Sequence, residues 1–134
     1  MVSCRRLIAL AVAAGFLVLL PSCHRQPPTA SGPQYVMLTY NNGNCQQNGS
    51  TAVIDVTPTQ AVIFQGATAL SQFQIQFSTC PFATCPVNSP NGNSVNTGQP
   101  NAGTAGKTFY YSAVTINNQQ CNNIGPLGLR VWPP

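Results

Sequence analysis

The stretch Gln72-Phe73-Gln74-Ile75-Gln76-Phe77 alternates strictly between glutamine and a large apolar residue. In an extended strand, successive side chains point to opposite faces, so the two phenylalanines and the isoleucine share one face and the three glutamines share the other. A strand of this kind is buried on one side and meets water on the other. The stretch therefore predicts a half-buried β-sheet.

The chain beyond Pro33 continues with the same two-residue period and shows no apolar stripe at helical spacing. Asn-Gly pairs, which tolerate the positive φ of tight turns, separate the apolar runs. At least six short strands with this turn spacing predict an all-β fold, either a β-sandwich or a barrel. The other predicted strands are 35–40, 52–56, 61–64, 109–116 and 127–132, and the turns are Asn42-Gly43, Asn48-Gly49 and Asn91-Gly92.

Residues 87–106 interrupt this pattern, because they are almost entirely Asn, Ser, Gly, Pro, Thr, Gln and Ala. A structureless loop of this length is uncommon inside a compact domain. We interpret it as a neutral insertion, with a mobile functional loop as the alternative. Only backbone and amide groups would be available there for specific contacts.

The chain holds a single acidic residue, Asp55, and charged residues make up 4% of it, against roughly 25% in an average soluble domain. Glycosidase pairs, two-metal phosphoryl sites, EF-hand loops and aspartic dyads each need at least two acids, so none can be assembled here. The single histidine, His24, also disfavours Ser-His-Asp hydrolysis and histidine-rich metal centres. We therefore predict no catalytic site, metal or cofactor, and interpret Asp55 as a solvated group at a turn or strand edge.

The amino-terminal segment is typical of an export signal. Arg5 and Arg6 precede an apolar run over residues 7–20 that is too short for a comfortable membrane span. The run ends in Leu20-Pro21-Ser22-Cys23, which resembles the lipobox of bacterial lipoproteins. The resemblance implies that residues 1–22 are cleaved, that Cys23 carries a diacylglyceryl group, and that the new amino terminus is acylated too. An ordinary secretory signal and a retained anchor are the alternatives.

This resemblance predicts a tethered protein of the bacterial cell envelope. Each buried methylene contributes about 0.8 kcal/mol, and two acyl chains are enough for stable attachment to a membrane. Residues 23–33 are polar and proline-rich, as in a semi-extended spacer, and 34–134 form the predicted β-domain. His24 replaces the aspartate that retains some lipoproteins at the inner membrane, which by analogy favours the outer membrane of a two-membrane host. In such a protein we interpret the glycosylation sequon Asn48-Gly49-Ser50 as a coincidence.

The six cysteines divide by position, because Cys4 lies in the signal and Cys23 takes the lipid. The other four form an even set in an exported domain, which predicts two disulfides. They are Cys45, Cys80, Cys85 and Cys121.

Three pairings of these cysteines are possible, and we favour Cys80 with Cys85 and Cys45 with Cys121. Pro81 helps the short loop to turn back on itself. The long closure would tie an early segment to a late one, worth about 4 kcal/mol in the loop-entropy model. A four-cysteine zinc site is the alternative, but the spacing offers one close pair where a zinc ribbon needs two.

The order of these features resembles the cupredoxin fold. Two strands lead through Gly66 to the Phe73 strand, and a proline-cysteine bend, a long loop, Phe109-Tyr110-Tyr111 and a terminal strand Leu129-Arg130-Val131 follow. The resemblance covers most of residues 35–134. It implies a Greek-key β-sandwich of seven or eight strands, with an immunoglobulin-like sandwich as the alternative.

In copper-binding cupredoxins the last loop supplies Cys, His and Met ligands, and an earlier strand supplies a second His. Here Cys121 stands near the cysteine position and Leu127 near the methionine position, but neither has a histidine beside it. A blue-copper site needs two imidazoles and a thiolate. The resemblance therefore implies the fold without its metal or its electron transfer.

Three functions from different classes fit the sequence. We favour a non-catalytic envelope lipoprotein whose uncharged surface binds or spaces another envelope component. Little electrostatic steering is available, so an envelope protein or glycan would be recognised by hydrogen bonds, stacking or strand addition. The alternative is a carbohydrate-binding module with Trp132, Tyr110 and Tyr111 as ligand residues.

The third hypothesis is a redox or metal-binding protein that uses Cys80 and Cys85. Four residues separate these cysteines, more than the usual redox spacing of two. Nucleic-acid binding is not expected, because the basic residues after the signal are only Arg25, Lys107 and Arg130.

Overall fold

The computed structural model describes residues 32–68, 71–92, 94–122 and 125–133, which fold into β-strands without a helix. The prediction of an all-β fold is confirmed. The predicted signal, Cys23 and most of the spacer lie outside the described residues. The strands are β1 (Gln34–Asn41), β2 (Asn44–Gln47), β3 (Ile54–Val56), β4 (Val62–Gly66), β5 (Phe73–Phe77), β6 (Val87–Ser89), β7 (Val95–Gly98), β8 (Thr108–Ile116), β9 (Gln119–Gln120) and β10 (Gly128–Val131).

The strands form two mixed sheets. One has the order β2-β1-β4-β7, and the other has the order β3-β10-β8-β5-β6, with β9 paired to β8. Strand β1 runs parallel to β4, and β3 runs parallel to β10, whereas the remaining pairs are antiparallel. The chain therefore passes from one sheet to the other after β2, β3, β4, β6 and β7. No helix in the described part of the chain is long and apolar enough to cross a membrane.

The inner faces of the two sheets share one hydrophobic core. Phe73, Ile75 and Phe77 are buried in it, while the glutamines between them are exposed, as the alternation predicts. Burial of each such side chain contributes roughly 1.5–3 kcal/mol. Four rings pack edge to face at its centre, with centroid distances from 5.0 to 6.4 Å. They belong to Phe64, Phe77, Phe82 and Tyr111.

A glutamine amide lies inside this core. Gln47, at the end of β2, is fully buried, and its Nε2 donates to the carbonyls of Ala52 at 2.7 Å and Gly128 at 2.9 Å. Its Oε1 accepts a hydrogen bond from the Tyr111 hydroxyl at 2.6 Å. Burial raises the pKa of Tyr111, because a phenolate there would be desolvated, so the hydroxyl stays protonated and donates. The amide thus joins β2 of one sheet to β8 and β10 of the other.

Asparagine and glycine form the tight turns, as predicted. Between β1 and β2, Asn42 has φ 49° and Gly43 has φ 86°, the left-handed conformation that a two-residue hairpin requires. The turn between β8 and β9 uses Asn117 at φ 50° and Asn118 at φ 62°, although it has no glycine. This turn is not predicted from the sequence, because it contains no Asn-Gly pair.

The interpretation of residues 87–106 as an insertion without strands is wrong. This segment contains β6, which pairs with β5, and β7, which pairs with β4. Each lies at the end of its sheet, where a strand is short and has one partner, so it needs few apolar residues. Val87 and Ser89 point inward and are buried, which is the only trace of alternation in β6.

Both predicted disulfides are present. Cys45 and Cys121 are bonded with Cα atoms 5.6 Å apart, and Cys80 and Cys85 are bonded with Cα atoms 6.0 Å apart. The first disulfide is buried and joins the two sheet edges where β2 and the segment after β9 meet. These bonds use all four cysteines of the described residues, so no thiolate is left for the alternative zinc site.

The buried amide generates a first prediction. The change Tyr111→Phe leaves Gln47 Oε1 without its donor, so it should lower the free energy of unfolding by about 1–3 kcal/mol. The matched control is Tyr110→Phe, which removes an exposed hydroxyl on the next residue and should change stability by less than about 0.5 kcal/mol. Urea unfolding followed by fluorescence measures both. Equal effects of the two changes would contradict a structural role for the Tyr111 hydroxyl.

The disulfides generate a second prediction. Cys45 and Cys121 are 76 residues apart and Cys80 and Cys85 are five apart, so the first bond restricts the unfolded chain more. In the loop-entropy model, removal of the disulfide should lower the free energy of unfolding by about 4 kcal/mol for the long loop and by about 2 kcal/mol for the short one. Paired cysteine-to-alanine variants, compared by thermal and urea unfolding, measure the difference. A larger loss for the Cys80–Cys85 pair would contradict it.

Candidate functional site

The aromatic residues proposed as ligand contacts do not share one surface. Tyr110 is 48% exposed and lies on the outer face of the six-stranded sheet, opposite Gly128 of β10. Tyr111, the next residue of β8, points inward and is buried with its hydroxyl on Gln47. A ligand that stacks on Tyr110 therefore does not reach the ring of Tyr111.

The third aromatic residue, Trp132, belongs to a charged cluster at one edge of the same sheet. The Arg130 guanidinium lies 5.2 Å from the centre of its ring, within cation–π range. Arg130 also binds both carboxylate oxygens of Asp55 on β3. Its Nε donates to Oδ1 at 2.7 Å, and its Nη2 donates to Oδ2 at 2.9 Å. Asp55 lies on the edge strand of its sheet, as predicted, but the interpretation of its carboxylate as solvated is wrong, because parallel pairing of β3 and β10 sets it beside Arg130. In the described part of the chain, the one charged side chain outside this cluster is Lys107.

The two residues that the cupredoxin resemblance compared with copper ligands do not fit a copper site. Cys121 is held in the disulfide with Cys45, and Leu127 is fully buried in the core. The described residues contain no group of three His, Cys, Asp or Glu side chains that could hold a metal ion. Cys80 and Cys85, named for the redox hypothesis, are bonded to each other, with each residue partly buried.

The sequon residue Asn48 has a structural role. Its Oδ1 accepts from the backbone N–H of Met37 at 2.7 Å, and its Nδ2 donates to the carbonyl of Tyr35 at 3.1 Å. Its backbone N–H donates to the Met37 carbonyl at 2.8 Å. The side chain thus extends the pairing of β1 beyond the end of β2, and its amide nitrogen is already engaged in that contact.

The outer face of the six-stranded sheet also carries a polar groove that the sequence analysis did not locate. At its centre, Gln74 of β5 lies between Asn88 of β6 and Thr115 of β8 in the strand register. The cavity volume is about 200 Å³. We call this site the amide groove, and its lining residues are Gln72, Phe73, Gln74, Asn88, Ser89, Pro90, Thr115 and Asn118. Alternation in 72–77 predicts the glutamine face, but only strand pairing brings Asn88 and Thr115 beside it.

A second concave surface lies on the outer face of the four-stranded sheet, next to Met37, which is 40% exposed. Its other walls come from Gln65 and the segments that follow β4 and precede β7. Tyr35, 51% exposed, points to the same side two residues earlier on β1. This surface carries no charged side chain among its lining residues.

Comparisons of the chain with protein-family models, with curated proteins and with solved structures found no match. The candidate sites therefore rest on the geometry and chemistry of this chain.

The ion pair generates a third prediction. Because Asp55 and Arg130 are partly exposed, Asp55→Asn should lower the free energy of unfolding by at most about 1 kcal/mol at low salt. The loss should shrink in 1 M NaCl, where the Debye length is only about 3 Å. Chemical unfolding at the two salt concentrations measures it, with Lys107→Gln as the control for a lone exposed charge. A loss that is unchanged by salt would contradict an electrostatic contribution.

Proposed function

We propose that the protein is an exported lipoprotein of the bacterial cell envelope, anchored through an acylated Cys23. Its β-domain serves as a non-catalytic binding or structural module. The observation that carries this proposal is the pair of disulfides, Cys45–Cys121 and Cys80–Cys85. Disulfides persist in oxidising compartments outside the cytoplasm, where an export signal would deliver the chain.

The position of the domain on its spacer supports the anchored arrangement. The predicted spacer 23–33 leads directly into β1, which begins at Gln34. A proline-rich spacer extends about 3.1 Å per residue, so it would hold the start of β1 within roughly 30 Å of the acylated cysteine. We propose the outer membrane as the location in a host with two membranes.

We further propose that the two sheets form a Greek-key β-sandwich of the cupredoxin type. The shared core and the repeated passage of the chain between the sheets support this arrangement. The immunoglobulin-like alternative is built from antiparallel sheets. The parallel pairs β1 with β4 and β3 with β10 therefore favour the cupredoxin type.

The state of the reactive groups supports a non-catalytic role. The single carboxylate, Asp55, is held by Arg130, which occupies both of its oxygens. The four described cysteines are in disulfides. Burial raises the pKa of Tyr111, so this hydroxyl is not a source of phenolate.

Carbohydrate binding is the second candidate function. It is favoured by the outer face of the six-stranded sheet, where the half-exposed ring of Tyr110 and the row Asn88, Gln74 and Thr115 face solvent. Sugars are bound by rings that stack on them and by planar amides that meet their hydroxyls. The ligand would be an envelope glycan.

Metabolic labelling tests the lipid anchor and is the fourth prediction. Cells that express the full chain and are fed an alkyne fatty acid should yield a labelled protein, whereas Cys23→Ser should abolish the label. The control is Cys4→Ser, which changes the other cysteine of the amino-terminal segment and should leave the label intact. An unlabelled wild-type protein would overturn the proposal of a lipoprotein.

A further inference from the structure

We propose that the amide groove is a binding site for a neutral oligosaccharide. The proposal rests on the second candidate function, carbohydrate binding, and is independent of the lipid anchor. It moves the site away from the aromatic residues named by the sequence analysis, since Tyr111 is buried and Trp132 contacts Arg130.

The side-chain amides of the groove do not bind the backbone, a state that they share with other exposed amides such as Asn44 and Gln46; what distinguishes them is that they line one concave surface. Many side-chain amides of this protein donate hydrogen bonds to backbone carbonyls. Asn101 Nδ2 donates to the Phe82 carbonyl at 2.7 Å, and Gln99 Nε2 donates to the Thr59 carbonyl at 2.8 Å. The groove amides do not. The side chains of Gln72, Gln74, Asn88 and Asn118 are exposed and make no hydrogen bond to any other residue that the structure describes.

These free amides are nevertheless held on a rigid frame. Gln74 on β5 pairs with Asn88 on β6, and on its other side it pairs with Thr115 on β8. The turn that carries Asn118 is fixed to the start of β5, because the Gln72 backbone N–H donates to Asn117 Oδ1 at 3.0 Å and the Asn117 N–H donates to the Gln72 carbonyl at 2.9 Å. A rigid frame reduces the entropy lost when a ligand binds.

The chemistry of the groove selects an uncharged ligand rich in hydroxyl groups. None of its lining residues is charged. Asp55 and Arg130 lie on β3 and β10, at the other edge of the same sheet from β6. An acidic ligand would therefore lose its hydration without gaining a cation. Each amide offers two donors and an acceptor, which matches the mixed donor and acceptor character of sugar hydroxyls.

The shape of the groove fits a chain of sugars that lies along the sheet. Adjacent strands are about 4.8 Å apart, so Asn88, Gln74 and Thr115 form a row about 10 Å long. Pro90 is exposed at the rim and offers an apolar ring to the C–H face of a sugar. The volume of about 200 Å³ is that of a small, open site, so units beyond the first would extend over the sheet.

Tyr110 provides an internal test because it lies on the same face but outside the groove. It precedes Thr115 by five residues on β8, and the bulge opposite Gln76 and Phe77 keeps both residues on the outer face, about 14 Å apart along the strand. A glycan centred on Tyr110 and one centred on the amide groove would therefore perturb different backbone amides.

The experiment is a titration of the full chain, labelled with ¹⁵N and purified in a zwitterionic detergent without a sugar headgroup. The probes are maltotriose, cellotriose and N,N′,N″-triacetylchitotriose, with tri-galacturonic acid as the acidic comparison. For at least one neutral probe, the shifts should centre on Gln72, Gln74, Asn88 and Thr115. Gln74→Ala/Asn88→Ala should weaken its binding at least about tenfold, as expected for the loss of one or two net hydrogen bonds.

The matched control is Asn44→Ala/Gln46→Ala, which removes two exposed amides from β2 of the other sheet and should leave the affinity unchanged. Binding that survives the groove variant and is lost in Tyr110→Ala would overturn the groove while leaving carbohydrate binding in place. Binding of tri-galacturonic acid alone would overturn the neutral ligand. No shift with any probe would overturn both the groove and the carbohydrate function.

Discussion

The fold depends on one buried amide whose hydrogen bonds are all supplied by the opposite sheet and by a neighbouring turn. Gln47 sits where water cannot reach it, and an unpaired amide there would cost several kcal/mol. Its partners are the Gly128 and Ala52 carbonyls and the Tyr111 hydroxyl. Apolar packing alone would let two sheets slide over each other, whereas these bonds are satisfied in a single alignment. The Cys45–Cys121 disulfide lies two residues from Gln47 and fixes the same alignment covalently.

The sequence predicts those parts of the fold that a local pattern of residues is enough to specify. Strict alternation identifies β5 and the buried face of its sheet, and Asn-Gly pairs identify the hairpin turn at Asn42. It does not identify β6 and β7, because short edge strands in a polar segment need no alternation. It also cannot place Gln47 in the core, since its buried state depends on partners more than sixty residues away in the chain.

The candidate site, like the fold, is predicted from the sequence only in part. The sequence predicts a face of glutamines and a nearly uncharged surface, but it assigns ligand contacts to aromatic residues that strand alternation sends to different sides of the sheet. Asp55 illustrates the difficulty, because its role is set by parallel pairing with β10 rather than by any neighbour in sequence. Properties that follow from composition, such as an uncharged surface, can be predicted from the sequence. Contacts that depend on strand register, such as that of Asp55 with Arg130, are seen only in the structure.

The parallel pairing of β1 with β4 has a mechanical consequence. Five residue pairs join these strands, and the described chain enters β1 directly at Gln34. Consider a force that pulls the preceding segment away from the β1–β2 hairpin. It would act along the strand axis on all five pairs, so their hydrogen bonds would have to break together and not one by one. If the strand did detach, the disulfide at Cys45 would stop its extension shortly after the hairpin. A domain tethered through this strand would therefore bear tension where its backbone resists shear.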